Sequence, residues 1–358
     1  MEVTYRTQNV LDASIDRIRM VFDEFDNIVV SVSSGKDSIV LYHIALKEAM
    51  KRNRKITVFF LDQEAEYQSS IDLIEKMMVH PNVIPMWYQI PVYLTNATSS
   101  KDYFLYAWGE GEKWIRSKNE LSIESLDVEY PKRFYDFFEW MESRFDMKTA
   151  MLVGLRSKES LNRFRAVTTN PGYNNILWST KTTNEKVFRF YPIYDWCFND
   201  IWKYINDNKI EYNKIYDKMF LKNGDNISSM RVSNLIHEKS FKCLADLQEY
   251  EPDTYNKLIE RINGIHCAAL YAKESYIFNS DILPKRFVTW EAYRNYLLET
   301  TPMKFKERII KRFNKQDKSE QIFQQQCKQL LINDWENNVP VEQNKGIKEK
   351  MEKWKKIL

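Results

Sequence analysis

"DNIVVSVSSGKDSIVLYHIAL", residues 26–46, opens on a β-branched apolar run, crosses a junction of small and charged residues, and closes on an apolar helical stripe. A short run such as "NIVVSVS" suits a strand buried on both faces of a parallel sheet. "DSIVLYHIALKEAMKRN" has helical periodicity and a basic end, which complements the negative pole of a helix. Between them Ser31, Ser33, Ser34 and Ser38 offer hydroxyls, Gly35 allows a close backbone approach, and Lys36 adds a cation. A strand that turns into a helix there presents free backbone N–H groups to an anion. These are the components of a phosphate cradle, although Asp37 or Ser38 capping an ordinary strand-to-helix turn would use the same residues. The cradle is not a Walker A loop. That motif needs a glycine where Val30 lies inside the strand, and Asp37 stands where its Mg²⁺-binding hydroxyl belongs.

Working outward, "VLDASIDRIRMVFDEF" (10–25) spaces its apolar residues as a helix, "KITVFFLD" (55–62) reads as a second strand, and "YQSSIDLIEKMMVH" as a second crossover helix. Strand alternating with helix implies a parallel sheet with right-handed crossovers. "NVIPMWYQI" fits a third strand. The stretch 91–130 is aromatic and interrupted, and the run "WYQIPVYLTNATSSKDYFLYAWGEGEKW" that overlaps its start suits packing and a flap over a site. "PKRFYDFFEWMESRF" predicts a helix with Pro131 in its first turn. "KTAMLVGLRSKESLNRF" predicts a fourth strand, a polar junction and a further helix, and only helical patterns follow "KVFRFYPIYDW". The expected architecture is an α/β domain over 1–212, a parallel twisted sheet with helices on both faces, followed by a helical region over 213–358 with a basic tail.

The composition bounds the function classes. With 53 Lys and Arg against 50 Asp and Glu, the formal charge of +3 does not by itself call for nucleic acid. The excess lies at the end: from Thr301 to Leu358 there are 14 basic and 8 acidic residues. The tail "KEKMEKWKKIL" therefore suits contact with nucleic acid or an acidic partner. No run approaches the ~18 apolar residues of a membrane span, and the N-terminus is too charged for a signal peptide, so a cytoplasmic protein without a membrane partner is expected. Cys197, Cys243, Cys267 and Cys327 have neither CxxC nor zinc spacing, which predicts reduced thiols and neither zinc nor an iron–sulfur cluster. His43 lies on the apolar stripe of its helix, as a core residue. His237 and His266 have no acidic or Cys partners at metal spacing.

"VSVSSGKDS" resembles the PP-loop, SxSGGKDS, of the ATP pyrophosphatase and phosphoadenosine phosphosulfate (PAPS) reductase superfamily. "VFFLDQEAEYQSSIDLI" is similar to that family's second strand, with Asp62 at its end. "VGLRSKESLNR" resembles its distal arginine motif, in which Gly154 precedes Arg156 and Arg163, with Glu159 and Ser160 between them and Arg165 beyond. "YPIYDWCFNDIWKYI" resembles the segment that follows in PAPS reductases, and "MRVSNL" and "LQEYEPDTYNKLIERINGI" resemble the IbrA-like branch, so that the likeness runs from about Val10 to about Pro302.

The resemblance implies an adenine nucleotide alpha hydrolase-like fold and binding of ATP or a related adenine nucleotide, PAPS included, with Mg²⁺. It assigns the nucleotide to Ser31, Ser33, Ser34, Gly35, Lys36, Asp37, Ser38, Asp62, Gly154, Arg156, Glu159, Ser160 and Arg163. Lys36, Asp37 and Arg156 would serve catalysis, and Asp37 would contact the Mg²⁺ or cap the helix. The implied reaction is cleavage or transfer at the ATP α-phosphate, activating an acceptor. A competing implication is a non-enzymatic nucleotide sensor acting with a ParB-like, IbrB-type partner in gene regulation or phage-related defence; a third is a DNA sulfur-modification component. Two positions depart from the pattern. No KxECGxH-type motif occurs in 280–358, where Cys327 sits in "QQQCKQL", so sulfonucleotide reduction through a cysteine is not expected. Ser34 replaces one of the paired glycines, placing a Cβ beside the phosphates.

Overall fold

The computed structural model describes residues 7–99, 101–168, 172–224, 230–237, 243–271, 282–337, 339 and 341. The chain divides into two compact units, one of 1–93 with 106–233, the other of 94–105 with 234–358.

The apolar runs pair side by side. The strands are β1 (Asn27–Ser31), β2 (Ile56–Leu61), β3 (Val83–Tyr88), β4 (Val92–Thr95), β5 (Phe104–Ala107), β6 (Ser122–Ile123), β7 (Thr149–Val153), β8 (Ser179–Lys181) and β9 (Val187–Phe190). Seven form one sheet in the order β6-β3-β2-β1-β7-β9-β8, while β4 and β5 pair separately. Every pairing in the large sheet is parallel except β8 with β9. All six residues of β2 are buried, as are Ile28, Val29 and Val30 of β1, which is what a central strand covered on both faces demands.

The two-residue alternation of the strands sorts the faces. Ile28, Val30, Val58 and Phe60 share a core with α1 (Val10–Glu24), α2 (Lys36–Lys51), α3 (Gln68–Met78) and α6 (Phe198–Asp207). Phe59 and Tyr88, one residue out of phase, meet Phe138 and Phe137 of α4 (Phe134–Ser143) edge-on at 5.5 and 5.2 Å. Each large apolar side chain so buried is worth about 1.5–3 kcal/mol. A charge at Val30, which is 0% exposed, would therefore break the centre of the sheet. The expected parallel α/β sheet with helices on both faces is what the chain forms.

Three details differ from expectation. Helix α4 starts at Phe134 rather than at Pro131, because Lys132 and Arg133 are spent on an extended bridge to Tyr93. The stretch 91–130 contains the β4–β5 pair and strand β6, and two tryptophans flanking or inside it, Trp87 and Trp108, are packed at 0% and 1% exposure. The boundary between compact units falls after Ser233 rather than at 212, since α7 (Ile215–Asn223) carries Tyr216, 2% exposed, against the first turn of α2.

From residue 243 on, the described elements of the second unit are helices. Thr289 and Ser319 cap the helices Trp290–Thr300 and Glu320–Leu331 by accepting N–H bonds from Ala292 and Ile322. With helix Met303–Phe313 these enclose Leu298, Ile309, Phe313, Leu330 and Trp335, the last stacked on Phe305 at 5.0 Å. The basic tail after 341, with its expected nucleic-acid contact, lies outside the described residues. Among the described residues no helix is long and apolar enough to cross a membrane.

Candidate functional site

From β1 the chain winds outward through β2 and β3, whereas β7 lies on the opposite flank of β1. Ligands of open α/β sheets bind beyond the carboxyl ends of the strands at such a reversal. Ser31 and Val153 are register partners, so the segments 32–35 and 154–160 leave the sheet side by side.

The loop is tied down by its own serines. The Ser38 hydroxyl donates to the Gly35 carbonyl at 2.9 Å and accepts the Ser33 N–H at 3.2 Å, with the Ser33 hydroxyl 3.4 Å away. Gly35 is the helix N-cap with φ −69° and ψ 144°, a conformation open to any residue, and a Cβ there would make ordinary contacts. The left-handed residue is Ser34, φ +54° and fully buried, whose hydroxyl has no hydrogen-bond partner among the described residues. Gly154 is needed for a different reason: a Cβ would stand 2.9 Å from the Ser38 nitrogen and 3.0 Å from the Asp37 carbonyl carbon. Its bare backbone lets the end of β7 rest on the first turn of α2.

Charge converges on that turn. Asp37 bridges two cations, with Oδ1 accepting from Arg156 Nε at 2.5 Å and Oδ2 lying 3.4 Å from Lys36 Nζ. Arg156 and Lys36 are 5% and 6% exposed. Burial pulls the Lys36 ammonium below the usual lysine value; Asp37 opposes this and Arg156 reinforces it. Glu159, close enough to raise the Lys36 value in turn, pairs with Arg163 and with Arg231 at 2.8 Å. Ser160 caps the short helix α5 (Leu161–Ala166) by accepting the Arg163 N–H at 3.3 Å. Four cations thus share two carboxylates, and the surplus is positive. Arg165 is exposed on α5 and takes no part in these contacts.

Other expected residues are placed elsewhere or otherwise engaged. Ser31 is half-buried at the end of β1. Asp62 follows β2 as expected, yet it is 0% exposed. It pairs with Arg116 and accepts the Glu64 N–H and the Gln89 amide, both at 2.9 Å, and the Trp87 indole N–H at 3.3 Å. Asp37 gives the helix no side-chain cap. Its two oxygens are already held by cations, and among the described residues no group of three or more His, Cys, Asp or Glu is placed to hold a metal ion. His43 is half-buried with Nδ1 3.0 Å from the Tyr204 hydroxyl, and burial, aided by Lys47, lowers its pKa to about 4. Cys327 is buried with its thiol 3.7 Å from the Trp290 carbonyl, and burial raises its pKa to about 12.

Several residues at this turn carry no motif signal. Tyr216 accepts the Lys36 backbone N–H at 3.2 Å, and its ring and that of Phe198 lie 5.5 and 5.6 Å from the Lys36 ammonium. Both rings line a cavity of about 390 Å³ with Trp202, Tyr212, Phe220 and Met230. Arg231 sits inside "MRVSNL", whose resemblance to a family segment was the one hint available.

Residues 224–354 match a domain of unknown function, DUF3440. Among characterised and uncharacterised relatives, the uncharacterized protein YbdN of Escherichia coli strain K12 is 26% identical over 84% of this chain and 77% of its own length. Sulfate adenylyltransferase subunit 2 of Ectopseudomonas mendocina is 26% identical over 57% of this chain and 64% of that protein, just under two thirds of it. A crystal structure of phosphoadenylyl-sulfate reductase from Candida auris aligns over 61% of this chain and 94% of that one, with 14% identity and a TM-score of 0.36. Residues 27–231 match the profile of the phosphoadenosine phosphosulfate reductase domain. That span takes in every strand of the large sheet together with Lys36, Asp37, Arg156 and Arg231, and the chain belongs to the phosphoadenosine phosphosulfate reductase domain family.

Proposed function

We propose that the turn between β1 and α2 binds the phosphates of an adenine nucleotide, and that the protein cleaves ATP at its α-phosphate to activate an acceptor. The observation that carries this reading is the Lys36–Asp37–Arg156 bridge at the reversal of strand order, where buried cations wait on one carboxylate. An incoming phosphate chain takes the place of Asp37 on both cations and meets the backbone N–H groups of the α2 N-terminus. The charge that develops on the departing pyrophosphate is then neutralised by groups already in position. Arg163 and Arg231, held on Glu159, serve the far end of the nucleotide or the acceptor. A relative named for sulfate adenylyl transfer supports an adenylyl reaction here too. Reduction through Cys327 is not part of the reading, because a buried thiol with a pKa of about 12 supplies almost no thiolate.

The test is incubation of the purified chain with MgATP labelled at the α-phosphate, with Lys36→Ala as control, resolving AMP, ADP and pyrophosphate. AMP and pyrophosphate that disappear in the variant support the reading. ATP that binds but is not consumed, across a panel of acceptors, sinks α-phosphate chemistry and leaves nucleotide sensing.

A further inference from the structure

Four residues, 32–35, join β1 to α2, and of these only Ser34 has a positive φ. At +54° it lies in the left-handed region, where the Cβ of an L-residue crowds the backbone and glycine sits freely. Ser34 is also 0% exposed, and its hydroxyl has no hydrogen-bond partner among the described residues. A hydroxyl that has given up water without gaining a partner is a second cost at the same position. Glycine would remove both. Strain of this kind gathers where a loop works between states.

Around Ser34 the loop is closed on itself. The Ser33 N–H donates to the Ser38 hydroxyl at 3.2 Å, and that hydroxyl donates to the Gly35 carbonyl at 2.9 Å. The Lys36 N–H donates to the Tyr216 hydroxyl at 3.2 Å, while Asp37 holds Lys36 and Arg156. An incoming phosphate must draw Lys36 and Arg156 away from Asp37 and compete with Tyr216 for the Lys36 N–H. The backbone on either side of Ser34 has to follow the first turn of α2, and it is there that the closed loop holds its cost.

We infer that this is the resting form of the loop, and that phosphate binding carries Ser34 out of the left-handed region, so that the cost held there in the resting form adds to the affinity for the ligand. This rests on the reading that the turn binds phosphates. Ser34 is then a positioning residue, acting through the loop backbone, and it sets how tightly the loop holds its ligand. Removing the cost stabilises the resting form alone, and a ligand that prefers the other form must overcome the difference. Stability and affinity therefore move in opposite directions.

The test compares Ser34→Ala and Ser34→Gly with the unaltered chain at full length. Alanine keeps the left-handed backbone cost and removes the hydroxyl; glycine removes both, and neither overfills the buried position. Urea unfolding without ligand should raise the midpoint in Ser34→Ala and raise it further in Ser34→Gly. Calorimetry with inorganic pyrophosphate, and separately with MgATP, should show the reverse order: binding weakened severalfold in Ser34→Ala and about tenfold in Ser34→Gly. A Cβ that merely obstructs the phosphates gives tighter binding in Ser34→Gly, and a serine with a structural role alone gives unchanged affinity; either result overturns the inference. So does a midpoint for Ser34→Gly below that of the unaltered chain. If the unaltered chain binds neither pyrophosphate nor ATP, the phosphate reading falls and this inference with it. Binding by the unaltered chain with the affinities in the wrong order defeats this inference alone.

Discussion

Replacing Gly154 with alanine should hurt this protein more than replacing Gly35, the glycine of the PP-loop itself. At Gly154 the added Cβ would stand 2.9 Å from the Ser38 nitrogen and 3.0 Å from both the Asp37 carbonyl carbon and the Ser38 Cα. All three are backbone atoms in the first turn of a helix, which cannot swing aside as a side chain would. The end of β7 must then part from α2, at a cost of about 1–3 kcal/mol as for other overpacked sites. At Gly35 the nearest atoms are the Ser33 hydroxyl at 3.4 Å and the Tyr216 hydroxyl at 3.8 Å, and the backbone is one alanine adopts freely. The weaker capping by alanine and its lower unfolded-state entropy nearly cancel, leaving a change within about 0.5 kcal/mol. Urea unfolding, followed by tryptophan fluorescence, reads the contrast. With a slope of about 3 kcal/mol per molar, Gly154→Ala lowers the midpoint by about 0.3–1 M while Gly35→Ala barely moves it. Equal midpoints for Gly154→Ala and the unaltered chain would refute the close approach of β7 to α2. So would a larger loss at Gly35.

The pH dependence should carry a signature of His43. Its pKa is about 4 in the folded chain against the ordinary histidine value of 6.5, so the unfolded state takes up the proton first as pH falls. The stability from the neutral ring is complete above pH about 6.5 and is lost on the way down to about 4, by about 1–3 kcal/mol after allowance for its partial exposure. The stability difference from His43→Gln, measured across that range, should shrink accordingly; a difference that stays constant means the ring is not held neutral. Arg116→Met should cost about 3–5 kcal/mol by stranding the buried Asp62 carboxylate, with part recovered in a double variant that also carries Asp62→Asn. A loss under about 1 kcal/mol in urea unfolding contradicts a structural pair. Cys267, which is exposed, should react with an aromatic disulfide reagent in the folded chain, and Cys327 only after unfolding; rapid labelling of both, mapped by mass spectrometry, contradicts the burial of Cys327.

Periodicity within one stretch of chain made the central architecture readable. β1, α2, β2 and α3 each announce themselves through local spacing, and the junction quoted at the start is where the strand order reverses. Other features depend on residues far away in sequence. Asp62 does follow its strand, but what occupies it is Arg116, 54 residues on, and no local pattern links the two. The loop glycine Gly35 is expected to allow a close backbone approach, whereas among the protein's own contacts it is Gly154, from another strand, that makes one, and Ser34 takes the left-handed conformation. Tyr216 lies in no motif that the sequence singles out. Only its packing on the first turn of α2 brings its hydroxyl to Lys36 and keeps that helix within the first unit.

Asp37 makes the loop its own resident anion. Because that carboxylate is tethered on the same chain, any visitor competes with a rival present at high effective concentration. A small monovalent ion such as chloride gains one contact by breaking one and so has little advantage. On the proposed reading, a ligand with several negative charges would hold Lys36 and Arg156 together in place of that one carboxylate. On that reading occupancy should rise steeply with the valence of the visitor, and the bridge would act as a threshold against monovalent salts.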